Sequence, residues 1–324
     1  MIDPALNGDF LRAPQDGIAH PVATPSAYQR YVHTLRIAYR AMGLSREVTD
    51  KALNIAPLKD FSGDRLDILQ KALAAMKARL AGVNPGLTTA FLDEPWLKEM
   101  TFNGRRVVIP IVNAEGLSWY SDSPMMNFDF LVETFHGMHQ DARVIYDIGG
   151  HQGVWALYYS TCIPESGRVY TFEPSIINIE IAALSFFLND INNVVIVPAG
   201  IGDTNTQIKS SEDGLLISGV SHNINLMKLD SIMLDAPDFV KIDIEGYEHE
   251  LIKDMPDLFE FCQNVHLEIH VPHLVARGID YRETFLKIPF DRVNVHLSTW
   301  GQLTKIGPDD ELTNFSTLLI TPRV

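Results

Sequence analysis

Cysteine is scarce: the 324 residues contain two, Cys162 and Cys262, far apart and each in an apolar context. A disulfide framework is thereby excluded, and a reducing, cytoplasmic setting is expected. Basic charge is also in deficit, with 26 Lys and Arg against 41 Asp and Glu, a net charge of −15. That balance argues against nucleic acid as a partner. No uncharged apolar run approaches about 18 residues, so no membrane-spanning helix is expected. The opening MIDPALNGDFLRAPQDG has no charged leader followed by an apolar core, and no secretory signal is expected from it. Internal repeats and low-complexity tracts are absent.

What remains is the composition of an ordinary globular protein, 46% hydrophobic and 21% charged. The charge is unevenly spread. Residues 1–95 hold 11 basic and 10 acidic side chains, and residues 96–324 hold 15 and 31. Two parts with different tasks are expected: an N-terminal arm and helical extension over 1–95, and an α/β domain over 96–324 with its core motifs at 143–270. Helical periodicity runs from Ser26 to Met42 (Tyr31, Leu35, Ala38 and Met42 on one stripe), from Ser45 to Ile55, and from Gly63 to Leu80 (Leu66, Leu69, Leu73 and Met76). RVVIPIVN (106–113) and LSWY (117–120) read as short strands joined by AEG.

From Arg143 the rhythm is strand, turn, helix, strand. RVIYDI (143–148), RVYTFE (168–173), VVIVP (194–198), FVKIDI (239–244), VHLEIH (265–270), RVNVHLS from Arg292 and STLLIT (316–321) are short, apolar and rich in Val and Ile. Seven such strands, mostly separated by helices, predict a doubly wound, mostly parallel sheet covered on both faces. Polar turns and a hairpin are expected over 203–230.

The turn after the first of these strands is the most informative segment. In RVIYDIGGHQGVW an acid, Asp147, ends the strand, then Gly149, Gly150, His151 and Gly153 lead into a helix. Glycines at a strand end allow a ligand to approach the backbone closely, and the helix start offers free N–H groups. A dinucleotide fingerprint would need glycine at positions 151 and 154, which are His151 and Val154. The carboxylate beside the loop disfavours a pyrophosphate and favours ammonium or sulfonium charge, and S-adenosylmethionine carries both. Glu173, ending the second strand, is placed to accept hydrogen bonds from two ribose hydroxyls.

YDIGGHQG (146–153), YTFEPS (170–175), AGIGD (199–203), MKLDSI (227–232), VKIDIEGYEHELI (240–252) and HLEIH (266–270) together resemble the FkbM family of S-adenosylmethionine-dependent methyltransferases. Gly150 and His151 stand where that family has Ala-Asn. The resemblance implies a Rossmann-like class I methyltransferase fold, S-adenosyl-L-methionine as cofactor, and O-methylation of a hydroxyl on a sugar or secondary metabolite. It places Asp147, Gly149, Gly150, His151 and Gly153 at the methionine end, Glu173 at the ribose and Asp203 near the adenine. A non-catalytic nucleoside- or partner-binding module and an NAD-dependent oxidoreductase are the alternatives.

In-line methyl transfer needs a positioned acceptor and a base for its proton. Alternation along the fourth strand sets Asp243 and Glu245 on one side, with Lys241 behind, and either acid suits the methyl-transfer face. Glu248 reads as favouring the positive end of the following helix. On the fifth strand His266, Glu268 and His270 share a face. A hydrogen-bonded polar face or a metal-free base at His270 or His273 is the favoured reading; a divalent metal held by His266, Glu268, His270 and Asp243 is the lesser one. Asp230 reads as a cap or a contact. Arg30, His33, Arg36 and Arg40 line one edge of the first helix, suiting a solvated face or docking onto an acidic partner, a phosphate group or the chain's own acidic part. Trp96, Trp119, Tyr120, Met125 and Met126 are candidates for a cleft that takes a small-molecule or glycan acceptor. A homo-oligomer is left open.

Overall fold

The computed structural model describes residues 27–54, 64–89, 91–121, 139, 141–209, 223–232, 235–254, 258–262, 264–299 and 302–323. Met125 and Met126, and the N-terminal arm before residue 27, lie outside them. In chain order come α1 (Ala27–Ala41), α2 (Arg46–Asn54), α3 (Arg65–Val83), β1 (Phe91–Phe102), β2 (Arg105–Asn113) and α4 (Ala114–Tyr120). The strand–helix alternation follows: β3 (Val144–Ile148), α5 (Val154–Cys162), β4 (Arg168–Phe172), α6 (Ile176–Leu188) and β5 (Val194–Val197). Next are β6 (Gly200–Ile201), β7 (Thr206–Lys209), β8 (Asn223–Met227), β9 (Phe239–Ile242), α7 (Glu248–Asp254), α8 (Leu258–Phe261) and β10 (Asn264–His270). The last are α9 (Val271–Ala276), α10 (Tyr281–Phe285), β11 (Val293–Thr299), β12 (Gln302–Ile306) and β13 (Phe315–Pro322).

The main sheet has the order β12-β11-β13-β10-β9-β3-β4-β5. All seven expected strands are in it, and β12, a hairpin partner of β11, makes an eighth. The pairs β10–β9, β9–β3, β3–β4 and β4–β5 are parallel, while β13 runs against both β10 and β11. From β3 the chain steps outward through β4 and β5, then returns to β9 on β3's other side. The order therefore reverses between β3 and β9, where the C-terminal strand ends open a crevice. The expected hairpin is the antiparallel pair β7–β8, joined by β6 in a small three-stranded sheet.

LSWY is helix, not strand. The Asn113 side chain accepts the Gly116 N–H at 2.8 Å and caps α4, so the bulky alternation there reflects helix packing rather than a sheet face. β1, which pairs with β2, carries Asp93, Glu94, Lys98 and Glu99 among its apolar residues, and that mixture hid it from a periodicity reading.

α6 is apolar almost all round because it is covered twice, by the sheet on one side and by α1 and α3 on the other. Tyr31, Leu35 and Ala38 of α1 and Leu69, Leu73 and Met76 of α3 are buried in the resulting cluster, whereas Leu66, expected on the same stripe, is exposed. Glu180 is the one acid in this helix. It accepts from Arg79 Nε (2.9 Å), Arg79 Nη2 (2.6 Å) and the Tyr39 hydroxyl (2.7 Å), with both ionic side chains fully buried. A surface contact repeats the theme: Arg30 reaches Asp190 at 3.1 Å, so the basic edge of α1 docks at least partly on the chain's own acids.

Removing one partner of such a buried pair strands the other charge. Glu180→Ala is expected to lower unfolding free energy by about 3–5 kcal/mol in urea denaturation, and Arg79→Met combined with Glu180→Leu to recover most of it. A Glu180→Ala loss no larger than that of an exposed pair would contradict this account.

Candidate active site

Two loops meet at the crevice, one after β3 and one after β9. The amides of Gly149 and Gly150 both donate to Phe172 O at 3.0 Å, folding the first loop over the end of β4. Gly149 has φ +85°, and a Cβ there would fall 1.7 Å from Asp243 O, so only glycine permits the two loops to touch. A Cβ on Gly150 would fall 1.8 Å from Thr171 Oγ1. Gly153 (φ +78°) is the N-terminal boundary of α5 and makes no side-chain cap there. His151 (φ +48°) and Glu245 (φ +55°) both occupy the left-handed region, one in each loop. Strain of that kind concentrates at functional loops.

Glu173 lies against the first loop, 6% exposed. Its Oε2 accepts from the His151 N–H and its Oε1 from the Ser175 N–H, both at 2.8 Å. Burial pushes this carboxyl up to about 7, against the pull of His151 and the two backbone donors.

Beneath the loops, Thr171, Asp147 and Lys241 are register partners on β4, β3 and β9. Thr171 Oγ1 donates to Asp147 Oδ2 at 3.0 Å. Lys241 Nζ lies 3.5 Å from Asp147 Oδ1 and 3.1 Å from Asp243 Oδ2, and donates to Gly149 O at 3.2 Å. Asp147 has no exposed surface; it is placed under the glycine loop rather than on it. Burial raises its carboxyl, although Lys241 and Thr171 pull the other way. Burial would lower the Lys241 ammonium, but Asp243 and Asp147 outweigh it and raise the group.

Asp243 and Glu245 do converge, through the turn after β9 and its left-handed residues rather than through strand alternation. His270 Nε2 stands 3.5 Å from Asp243 Oδ1 and 3.5 Å from Glu245 Oε2. Its Nδ1–H donates to Glu248 Oε1 at 2.8 Å. Glu248, fully buried, also accepts from the Ile244 and Gly246 amides (3.3 and 3.1 Å), so it both shapes the turn and orients the imidazole. Burial would lower His270, but Glu248, Asp243 and Glu245 push it up to about 9. For Asp243, burial is outweighed by Lys241 and His270, which hold its carboxyl below the usual value. Burial raises Glu245. His273 Nδ1 lies 3.2 Å from Glu245 Oε2, and its ring stacks on that of His270 at 5.4 Å.

α4 closes one side. The Tyr120 hydroxyl is hydrogen-bonded to His151 Nδ1 at 2.5 Å, and His151 Nε2 lies 3.1 Å from Glu115 Oε1. Gln152 Nε2 donates to Asn113 Oδ1 at 3.0 Å. Tyr120 is thus the expected acceptor-cleft aromatic that reaches the loop, whereas Trp96 packs on the core and Trp119 is exposed. Asp203 sits in the turn after β6, half-buried; β6 packs near Pro174 through Gly200. Asp230 lies in a short helical turn after β8.

Lys241 as a link between two acids, Glu248 as the support of His270, and Glu115 with Tyr120 as partners of His151 were missed by the sequence reading. Only the KIDIEGYE spacing hinted at the first two. A cavity of about 510 Å³ lined by Phe290, Val293, Lys305, Pro308 and Arg323 lies at the β11–β12 edge, separated from the crevice by β13 and β10. No paired acids and imidazoles converge there among its lining residues.

A reversed-order parallel sheet with a glycine loop at the switch point defines the class, a Rossmann-like methyltransferase fold. Residues 147–291 match the family described as the methyltransferase FkbM domain. Among solved structures, the chain is similar to a methyltransferase FkbM from Methylobacillus flagellatus, at 17% identity over 89% of this chain and 62% of that one, TM-score 0.39. A precorrin-6y C5,15-methyltransferase from Geobacter metallireducens matches at 14% identity over 65% and 96%, TM-score 0.39. An O-methyltransferase from Bacillus cereus, in complex with SAH, matches at 14% identity over 88% and 99%, TM-score 0.38. No curated protein matches the chain significantly.

Lys241 joins both loops, so Lys241→Met is expected to cost about 3–5 kcal/mol by leaving Asp147 and Asp243 unpaired. Equilibrium unfolding monitored by circular dichroism measures it; a loss below about 1 kcal/mol, the range of exposed pairs, would contradict the linkage.

Proposed function

We propose that the chain transfers a methyl group from S-adenosylmethionine to a hydroxyl of a sugar or secondary-metabolite acceptor at the β3–β9 crevice. The observation that carries this reading is Glu173, a buried carboxylate fixed by two backbone donors at the glycine loop. Its remaining lone pairs suit the two hydroxyls of a ribose. Ser175 Oγ, buried beside it without a hydrogen-bond partner among the described residues, is a further polar group that a nucleoside would satisfy. These residues fit the cofactor. Gly149, Gly150 and His151 would line its methionine end, with Asp147 acting from below through Lys241 and Thr171. Asp203 is our candidate near the adenine.

When bound, the cofactor supplies a methyl group already activated by its sulfonium. The protein's work is then alignment, which can supply roughly 7–11 kcal/mol. Asp243, paired on one side with Lys241 and on the other with His270, is a fixed hydrogen-bond acceptor for the incoming hydroxyl. Glu245, half exposed, takes the hydroxyl proton and passes it to water, an assistance of about 10²–10⁴-fold. The held cofactor would supply the methyl carbon, with its sulfonium sulfur as the leaving group.

Calorimetric titration of the full chain with S-adenosylhomocysteine tests this directly. One-to-one binding is expected, weakened by roughly tenfold or more in Glu173→Ala through loss of hydrogen bonds to a charged group. Because the free carboxyl titrates at about 7 and the carboxylate accepts the ribose hydroxyls, affinity should rise as pH increases from about 6 to about 8. An affinity that is flat in pH and unchanged in Glu173→Ala removes Glu173 from the site. Failure to bind at all favours a non-catalytic module.

A further inference from the structure

We propose that Asp243, Glu245 and His270 form a binding site for one divalent cation of the Mn2+ or Zn2+ type, where the turn after β9 meets the end of β10. Asp243 Oδ1, Glu245 Oε2 and His270 Nε2 all lie within 4.8 Å of one another, and two of the three edges are 3.5 Å. Ligand atoms about 2.0–2.2 Å from an ion in tetrahedral coordination stand about 3.3–3.6 Å apart, so these edges need little change to accept one. The sequence reading grouped His266, Glu268 and His270 with Asp243. The structure instead brings Glu245 in through its left-handed turn, while His266 Nε2 faces Glu268 at 3.4 Å.

The surroundings of the three side chains are those of a prepared site. His270 has its Nδ1–H on the buried Glu248 carboxylate, which leaves Nε2 aimed at the two acids. That carboxylate–imidazole pairing fixes tautomer and ring orientation in metal centres. Asp243 Oδ2 accepts from Lys241, and its Oδ1 faces the cluster. His273 steadies Glu245. Exposure increases from His270 (4%) through Asp243 (25%) to Glu245 (53%), so the cluster is closed behind and open toward the crevice. An imidazole with two carboxylates and open positions suits Mn2+ or Zn2+ over softer ions. Coordination displaces the Nε2 proton to solvent.

The catalytic use of the ion rests on the methyl-transfer reading. An acceptor with hydroxyls on adjacent carbons, as on a sugar ring, would chelate the open positions. The bound hydroxyl would become more acidic and would lose its proton to water, with Glu245 serving as a ligand rather than as the proton acceptor.

The test is titration of the full chain with Mn2+ alone, following free Mn2+ by electron paramagnetic resonance, with Zn2+ as competitor and S-adenosylhomocysteine calorimetry on the same preparation. One Mn2+ per chain, displaced by Zn2+ and weakened at least tenfold in Glu245→Gln and in Asp243→Asn, is expected. Glu245 is half exposed, so its variant tests the site without threatening the fold. Absence of saturable metal binding, with S-adenosylhomocysteine still bound, overturns the cation site and leaves the methyl-transfer reading standing. Metal binding unaltered in both variants places the ion elsewhere and equally overturns it. A cation bound as expected in a chain that does not bind S-adenosylhomocysteine supports the site and refutes its catalytic use.

Discussion

A lysine ammonium with no exposed surface stands at the centre of the sheet, and both loops of the crevice are tied to it. Lys241 reaches an acid on the neighbouring strand, an acid in its own following turn, and the carbonyl of the first loop glycine. Taking that charge out of water is costly unless every partner is in place. The glycine loop and the turn after β9 therefore have one mutual arrangement, reinforced where Gly149 leaves room for Asp243 O. Thr171 extends the row to β4, next to Glu173. The groups assigned to nucleoside and methyl transfer thus hang from one cross-strand row of three side chains.

The segments before β3 are more than a cover. α1 and α3 share a core with α6 and are locked to it by the Arg79–Glu180 pair, while α4 lays Glu115 and Tyr120 against His151. His151 stands where the resembled family has Asn. The tyrosine and the acid that contact it both come from α4.

The parallel strands were legible because a strand buried on both faces must be a continuous apolar run, and the seven expected were found. The placement of the glycine loop and of Glu173 at strand ends was legible because each stands at the turn of a strand–turn–helix unit. Asp243 was expected near Glu245 and, separately, near His270; the structure brings the three together, Glu245 through a left-handed turn and not alternation. What escaped was decided by partners distant in sequence. LSWY became a helix because Asn113 capped it and the loop received it. Glu248 looked like a residue favouring a helix start and is the buried support of His270. Lys241 gave no sign that it would bridge two acids, since burial of a lysine is visible only once the strands on either side are placed.

The measurement that most directly tests the whole arrangement is a crystal structure of the full chain with S-adenosylhomocysteine. The account predicts the ribose hydroxyls within hydrogen-bonding distance of Glu173, the methionine portion over Gly149–His151, and the sulfur turned toward Asp243, Glu245 and His270. A nucleoside seated away from the β3–β9 crevice, or one whose sulfur points away from those three residues, would contradict it.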